Sequence, residues 1–337
     1  MANKIVITGM GVVSPVGNDL KTFWDNIKNG VSGITQLTDL NHEENKMTTW
    51  IGGAAGEVSP HNMDPKEQRR HSRCTVLAVE ASNQAIEQSG IDLNKEDPYR
   101  CGVILGSGIA GIQTIYENSV KLHETSARRI SPLMIPTGIV NAPAGYIGII
   151  HGFQGPNKAI VSACASGTHC IGDAADLIRL GKADVMLAGG TESTLIPFGL
   201  GSFSAMRALS TRNDDPAAAS RPFDLDRDGF VMGEGAGMVV LESEEHAKAR
   251  GAEILGELLT LGESCDAYHI AAPREDGTAT SMAMKAALSQ AKINPEDVDY
   301  FNAHGTSTQL NDAGETCALK LTFGDNMPPV SSTKSMT

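Results

Sequence analysis

Short runs rich in Val and Ile alternate with Ala-rich stretches of helical period along almost the whole chain. The buried-strand candidates are 4–8, 101–105, 159–162, 184–188, 237–241 and 298–302. Between them, 72–88, 168–180 and 280–291 carry helical patterning. Strands alternating with helices predict a layered α/β fold around a mostly parallel sheet. Gly181 after Leu180 reads as a helix C-cap, and Pro295 opens a short loop re-entering a strand. Aromatics make up only 4% of the chain, against 36 glycines. The core is therefore expected to be built from Ala, Val, Ile, Leu and Met, with backbones in close contact at glycines. The 337 residues suit about two domains or one large α/β unit.

The formal charge is −13, which argues against a nucleic-acid partner, since phosphate contacts need a basic footprint. No apolar stretch approaches the ~20 residues of a membrane helix. The N-terminus reads as a first buried strand, not a signal peptide. The six cysteines, at 74, 101, 164, 170, 265 and 317, show no C-x-x-C pair. No disulfide framework, zinc site or other metal site is expected, and a reducing cytoplasm is the simplest location.

Several segments carry chemistry. In Val161-Ser-Ala-Cys164-Ala-Ser-Gly-Thr-His-Cys, Cys164 lies between a β-branched strand and a small-residue helix start. A helix N-terminus favours a thiolate, and the small neighbours leave room for a tight elbow and an acyl group. The other reading of Cys164 is a small buried hydrophobe; Cys170 reads as core. In Asn302-Ala-His304-Gly-Thr306-Ser-Thr308, a neutral imidazole just past a strand end can donate to a developing enolate. The two threonine hydroxyls can hold a polar substrate arm, or the segment is an ordinary turn. Val330-Ser-Ser-Thr-Lys334 offers a lysine either as an electrostatic partner or as a solvated charge. The polar stretch 211–227 is read as an excursion loop, and the acids of the overlapping segment Arg221–Phe230 are read as ion pairs with Arg221 and Arg227. Its acids lack the terminal Glu of an EF-hand. Gly106-Ser-Gly108-Ile-Ala-Gly111 fits G-x-G-x-x-G but lacks the later acidic residue, so a plain strand-to-helix turn is expected. Two segments, ending at Cys164 and at Lys334, share one plan of strand, small-residue turn and helix start. This hints at a duplicated fold.

Together these segments resemble the β-ketoacyl-[acyl-carrier-protein] synthases, on the type II branch of these fatty-acid condensing enzymes. The match is carried by 4–17, Val161–Cys170, Asp184–Glu192, Arg207–Asn213, Arg221–Gly237, Asn302–Thr308 and Ser331–Thr337. The resemblance implies a thiolase-like α/β fold of five αβαβα layers in two pseudo-repeated halves. The first half would span 1–250, with the nucleophile, and a partial second half 251–337. It implies a homodimer without a resident cofactor, substrates riding on the phosphopantetheine arm of acyl-carrier protein. The implied reaction is a decarboxylative Claisen condensation. Cys164 would match the nucleophile that takes the acyl chain, His304 a catalytic histidine stabilising the malonyl-derived enolate, and Lys334 the supporting lysine. Thr306 and Thr308 would match the pair binding the arm, and Ile109 and Phe203 residues lining or gating the acyl pocket.

Carrier proteins are acidic, so a chain of charge −13 needs a local cationic patch to dock one. Lys66, Arg69 and Arg70 are expected on one helix face; Arg128, Arg129 and Arg207 match further docking positions of the family. Family members continue past Ser-Met-Thr with Gly-His and a later Gly-Phe-Gly-Gly loop. The sequence given ends at Thr337, so the second half is expected to be incomplete. A chain lacking those residues is expected at most to acylate Cys164 without efficient condensation. The alternatives are a non-catalytic partner subunit like the chain-length factors, an inactive fragment of a condensing enzyme, and a coenzyme A-dependent thiolase type. The presence of Cys164 disfavours the chain-length-factor reading, and the elbow sequence disfavours the thiolase type.

Overall fold

The computed structural model describes residues 4–337. In chain order the strands are β1 (Ile5–Val13), β2 (Thr35–Gln36), β3 (Ile51–Gly52), β4 (Cys101–Gly106), β5 (Asn157–Ile160), β6 (Val185–Glu192), β7 (Gly235–Ser243), β8 (Gly256–Leu258), β9 (Phe301–Asn302) and β10 (Val330–Ser331). The helices are α1 (Leu20–Lys28), α2 (Pro65–Gln68), α3 (Arg73–Ser89), α4 (Ile112–Glu124), α5 (Met134–Gly138), α6 (Ala142–His151), α7 (Ser166–Arg179), α8 (Pro197–Ala205), α9 (Glu244–Ala249), α10 (Thr278–Ala291) and α11 (Gln309–Phe323).

Contacts divide the chain into two compact units. The first comprises Met1–Asn26, Ala54–Gly199 and Gly233–Leu259; the second comprises Ile27–Gly53, Leu200–Met232 and Thr260–Thr337. The units interleave in sequence. Backbone hydrogen bonds show why: Gly33 N–H donates to Met336 O at 2.7 Å, and Gly229 N–H to Ser307 O at 3.1 Å. These bonds tie two early excursions to the last part of the chain.

The first unit holds a six-stranded sheet in the order β5-β4-β6-β7-β1-β8. β5, β4 and β6 run parallel, whereas β7 is antiparallel to β6 and β1, and β8 to β1. The sheet is therefore mixed, which corrects the mostly parallel expectation. Helix α7 supplies the crossover that a parallel β5–β6 arrangement needs. β6 and β7 are instead joined by the long 193–234 excursion, which allows the antiparallel return. Both faces are covered. Val103, Leu105, Val185 and Leu187 pack under α3 and α6, while Ile104, Met186 and Ala188 pack against α7. Successive side chains serve opposite faces, so strands buried on both sides read as unbroken apolar runs. Helix α3 lies directly on β1, because a Cβ at Gly9 or Gly11 would collide with the Ala85 or Ala81 carbonyl. Helix α7 ends as expected, with Gly181 at φ +69° and Lys182 N–H donating to Leu177 O at 2.9 Å.

A buried ionic cluster joins β7, β1 and α9. The Glu242 carboxylate accepts from Thr8, from Arg250 Nη2 at 2.6 Å and from His246 Nδ1 at 2.6 Å. His246 Nε2 reaches Glu96 at 3.0 Å. Burial pushes the Glu242 carboxyl up, but the Arg250, His246 and Thr8 hydrogen bonds outweigh it and hold the group down at about 2. The Glu242 bond, opposed by desolvation, holds His246 above its ordinary value of 6.5. A lowered carboxyl stabilises the fold above its unfolded value and loses that effect as pH falls. A raised histidine stabilises below its unfolded value and loses that effect as pH rises. The stability difference between wild type and His246→Gln is therefore expected to be largest near pH 6 and to shrink steadily toward pH 9. Urea midpoints of the two proteins across that range check this; a constant difference would refute it.

The second unit contains two small sheets, antiparallel β2–β3 and parallel β9–β10, with α10 packed on α11. β9 and β10 pair Phe301 with Val330 and Asn302 with Ser331. The loops leaving their C-terminal ends carry His304 and Lys334. Among the described residues no helix is long and apolar enough to cross a membrane.

Candidate active site

The cysteines differ sharply in environment. Cys74, Cys101 and Cys170 are buried, and desolvation pushes their thiols up to about 11, about 12 and about 11. Cys164 is exposed, with Cys265 and Cys317. It sits in a single 3₁₀ turn, Ala163–Ala165, between β5 and the first turn of α7. β5 ends at Ile160, so Val161 and Ser162, expected as strand, already belong to the elbow. Ala163 has φ +52°, a left-handed conformation that costs a non-glycine residue about 1–2 kcal/mol. Hydrogen bonds over-determine that turn. Ser162 N–H donates to Ser166 Oγ at 2.9 Å, and Ser166 Oγ–H donates to Ala163 O at 2.7 Å. Ala165 N–H donates to Ser162 O at 3.1 Å, and Ser162 Oγ meets His169 Nδ1 at 2.6 Å. Below the elbow, a Cβ at Gly106 would strike Ser166, so the start of α7 rests on the end of β4.

The 106–111 segment forms the strand-to-helix turn expected of it. The carboxylate of Glu192, at the end of β6, accepts from Gly108 N–H at 2.8 Å, Ile109 N–H at 3.2 Å and Ser107 Oγ–H at 3.1 Å. Burial raises the Glu192 carboxyl against the opposing pull of those bonds. Ile109 is 38% exposed on this loop.

In the second unit, two acids of α11 organise the His304 loop. Glu315 accepts from His304 N–H at 2.7 Å and Gly305 N–H at 2.8 Å. Asp312, 1% exposed, accepts from Thr306 N–H at 3.0 Å and Phe223 N–H at 2.8 Å, and pairs with Arg227 at 3.5 Å. Thr306 and Thr308 hydroxyls bond each other at 2.9 Å. His304 is pushed down to about 4, first by burial and then by the Lys334 charge, with Asp312 pulling the other way. The imidazole is therefore neutral at physiological pH, the state in which it can donate a hydrogen bond without carrying charge. Lys334 lies in the turn after β10, where Ser220 Oγ–H donates to its carbonyl at 3.2 Å. The structure thus brings His304, Thr306, Thr308 and Lys334 together on adjoining loops. Phe203 packs edge-on against Phe230 with centroids 5.4 Å apart. The acids that follow Arg221 pair with it as expected, Asp228 at 3.2 Å and Asp224 at 4.0 Å. Arg227 instead reaches Asp312 on α11.

The expected basic helix face is corrected. Helix α2 ends at Gln68, with Asp64 capping its start and Arg69 as its C-cap. Only Lys66 of the trio is helical; Arg69 and Arg70 lie in the following turn, and Arg70 pairs with Glu67 at 2.7 Å. The chain must stop there because Ser72 already stands at the N-cap position of α3. Arg69 and Arg70 nevertheless line a cavity of about 730 Å³ with His71, Arg73 and Lys121. Neither Cys164 nor Ile109 lines it. Arg128 and Arg129 are exposed in a separate 3₁₀ turn, and Arg207 is exposed after α8 at φ +54°. Sequence reasoning missed Glu192, Asp312, Glu315, Ser162 and His169. A carboxylate next to strand-end glycines was the one available signal for Glu192.

An exposed thiol on a strained strand–helix elbow and a neutral histidine in a carboxylate-braced loop are the parts of an acyl-transfer enzyme. Residues 2–247 match the family model of the β-ketoacyl synthase N-terminal domain, and residues 255–337 that of its C-terminal domain. The chain belongs to the β-ketoacyl synthase family, the condensing acyltransferases, and has their thiolase-like α/β fold. It is 44% identical over 337 residues to 3-oxoacyl-[acyl-carrier-protein] synthase 2 of Vibrio cholerae serotype O1, covering 99% of this chain and 81% of that protein. It is 46% identical over 340 residues to the same-named synthase of Staphylococcus aureus strain COL, again covering 99% and 81%. Among solved structures, a chain of the AntDE:AntF complex matches with TM-score 0.92 and 33% identity, over 100% of this chain and 82% of that one. That complex is described as a type II PKS acyl-carrier protein with its ketosynthase bound to the hexaketide. A β-ketoacyl synthase from Burkholderia phymatum STM815 matches with TM-score 0.88 and 33% identity, over 98% and 80%.

Proposed function

We infer that this protein elongates acyl chains by decarboxylative condensation with malonyl-acyl-carrier protein. The observation that carries the reading is Cys164, the exposed thiol on the elbow of a β-ketoacyl synthase chain. In the proposed sequence the Cys164 thiolate attacks the thioester carbonyl of an acyl-carrier protein, and the carrier's thiolate leaves, taking up the proton that the Cys164 thiol had given to solvent. Malonyl-carrier protein then loses CO₂, and the electron pair of the broken C–C bond becomes an enolate. His304 donates a hydrogen bond to the enolate oxygen, and Lys334 adds positive charge nearby. The enolate carbon attacks the acyl-Cys164 carbonyl, and the Cys164 thiolate leaves. No resident cofactor is assigned a step, because loss of CO₂ itself supplies the carbon nucleophile. Thr306 and Thr308 hold the phosphopantetheine arm, while Ile109 and Phe203 border the acyl chain.

The carrier docks on cationic surface. Arg69, Arg70 and Lys121 around one cavity, with Lys66, Arg128, Arg129 and Arg207, offset the long-range repulsion expected from a net charge of −13. Self-association as a homodimer is supported by β5, the edge strand of its sheet, and by exposed apolar side chains such as Ile115, Ile135, Ile139 and Val161. The reading places the protein in the cytoplasm. Incubation with acyl-carrier protein should add one acyl mass to Cys164, and malonyl-carrier protein should then discharge it as 3-oxoacyl product. Acylation from coenzyme A thioesters alone would favour a thiolase type; no acylation from either would favour a non-catalytic partner subunit.

A further inference from the structure

We propose that Ser162 and His169 form a latch that positions the Cys164 nucleophile, an inference resting on the assignment of Cys164 above. Two independent clasps cross the left-handed turn at Ala163. One is local: the Ser166 hydroxyl accepts from Ser162 N–H and donates to Ala163 O. The other is the 2.6 Å side-chain bond from Ser162, where the chain leaves β5, to His169, in the first turn of α7. It spans seven residues and has Cys164 between its ends. With the strand side and the helix side bonded together, Ala163 has no low-cost route to a right-handed conformation, and the thiol keeps its place ahead of the helix. A hydroxyl can donate or accept, so either neutral tautomer of His169 makes the bond. His169 is thus a positioning residue that acts through the elbow.

The latch makes a specific demand on geometry. Asn places an amide nitrogen where the Nδ1 of His stands, so His169→Asn should keep the bond and His169→Ala should lose it. Ser162→Ala removes the other end without touching α7. His169→Ala and Ser162→Ala are each expected to slow acyl transfer to Cys164 by about 10-fold or more, since small misplacements of a reacting group cost up to about 10²-fold. The KM for the carrier substrate should stay within about twofold, and His169→Asn should recover most of the rate. Intact-mass measurement of acyl-Cys164 formation gives the rates, and iodoacetamide labelling of Cys164 gives a readout independent of substrate. If both alanine variants acylate within twofold of wild type, the latch is refuted. If Asn fails to rescue while folding normally, packing and not the hydrogen bond is responsible, and the proposal also fails. A wild-type protein whose Cys164→Ala variant still forms product would instead overturn the assignment of the nucleophile.

Discussion

Cys164→Ala is expected to abolish acyl-enzyme formation and to lower condensation by on the order of 10³-fold or more, the scale seen when a covalent nucleophile is removed. None of the buried cysteines can substitute. At pH 8 a thiol held at about 11, as at Cys74 and Cys170, is ionised to only about one part in 10³, and Cys101 is held higher still. All three are also buried. Iodoacetamide at limiting concentration should therefore label Cys164 well ahead of these three, with exposed Cys265 and Cys317 as internal references. Prior acylation from acyl-carrier protein should protect Cys164 and leave the references unchanged. A Cys164→Ala protein that still takes up one acyl mass, or labelling of Cys164 that acylation does not slow, would remove it from the mechanism.

The strands and helices that bury apolar side chains on two faces were readable in the sequence. The pattern at 101–105 became β4, 72–88 became α3, and 168–180 became α7, each within about two residues. Gly181 announced the end of α7 because a left-handed cap has a residue preference. Other features carry no such local signature. Strand direction across the mixed sheet depends on whether each connection crosses over, and the 193–234 excursion does not reveal its path by composition. The basic trio failed as a helix face because a new helix, α3, begins at Arg73, with Ser72 at its N-cap position. Cys164 and His304 were legible as motifs, but what braces them was not. Glu192 holds a loop 84 residues earlier, and Asp312 holds Phe223 89 residues earlier. Bonds from a side chain to a distant backbone N–H leave no periodicity. In an amphipathic helix, a buried acid such as Glu315 looks like any surface glutamate.

Removing Asp312 should therefore have the largest structural effect of any single carboxylate in the second unit. Its side chain is 1% exposed and satisfies two backbone N–H groups and the Arg227 guanidinium at once. Asp312→Ala leaves the half-buried Arg227 guanidinium with only its backbone carbonyl partners and orphans the Thr306 and Phe223 amides. Breaking a buried pair from one side typically costs about 3–5 kcal/mol. Phe223 has φ +66°, so the lost bond also releases a strained turn. The effect should appear as lost hydrogen-exchange protection at Thr306 and Phe223 and a lowered urea midpoint. With the His304 loop loosened, condensation should fall on the order of 10²-fold while acylation of Cys164 stays closer to wild type. Asp312 pulls the His304 value upward, so its loss should move that titration further below about 4 wherever the loop stays folded. Asp312→Asn retains the shape but turns an amide donor toward an N–H or the guanidinium, so it should lie between wild type and alanine. Unchanged protection at Thr306 in Asp312→Ala would show that Glu315 and the β9–β10 pairing hold the loop without it.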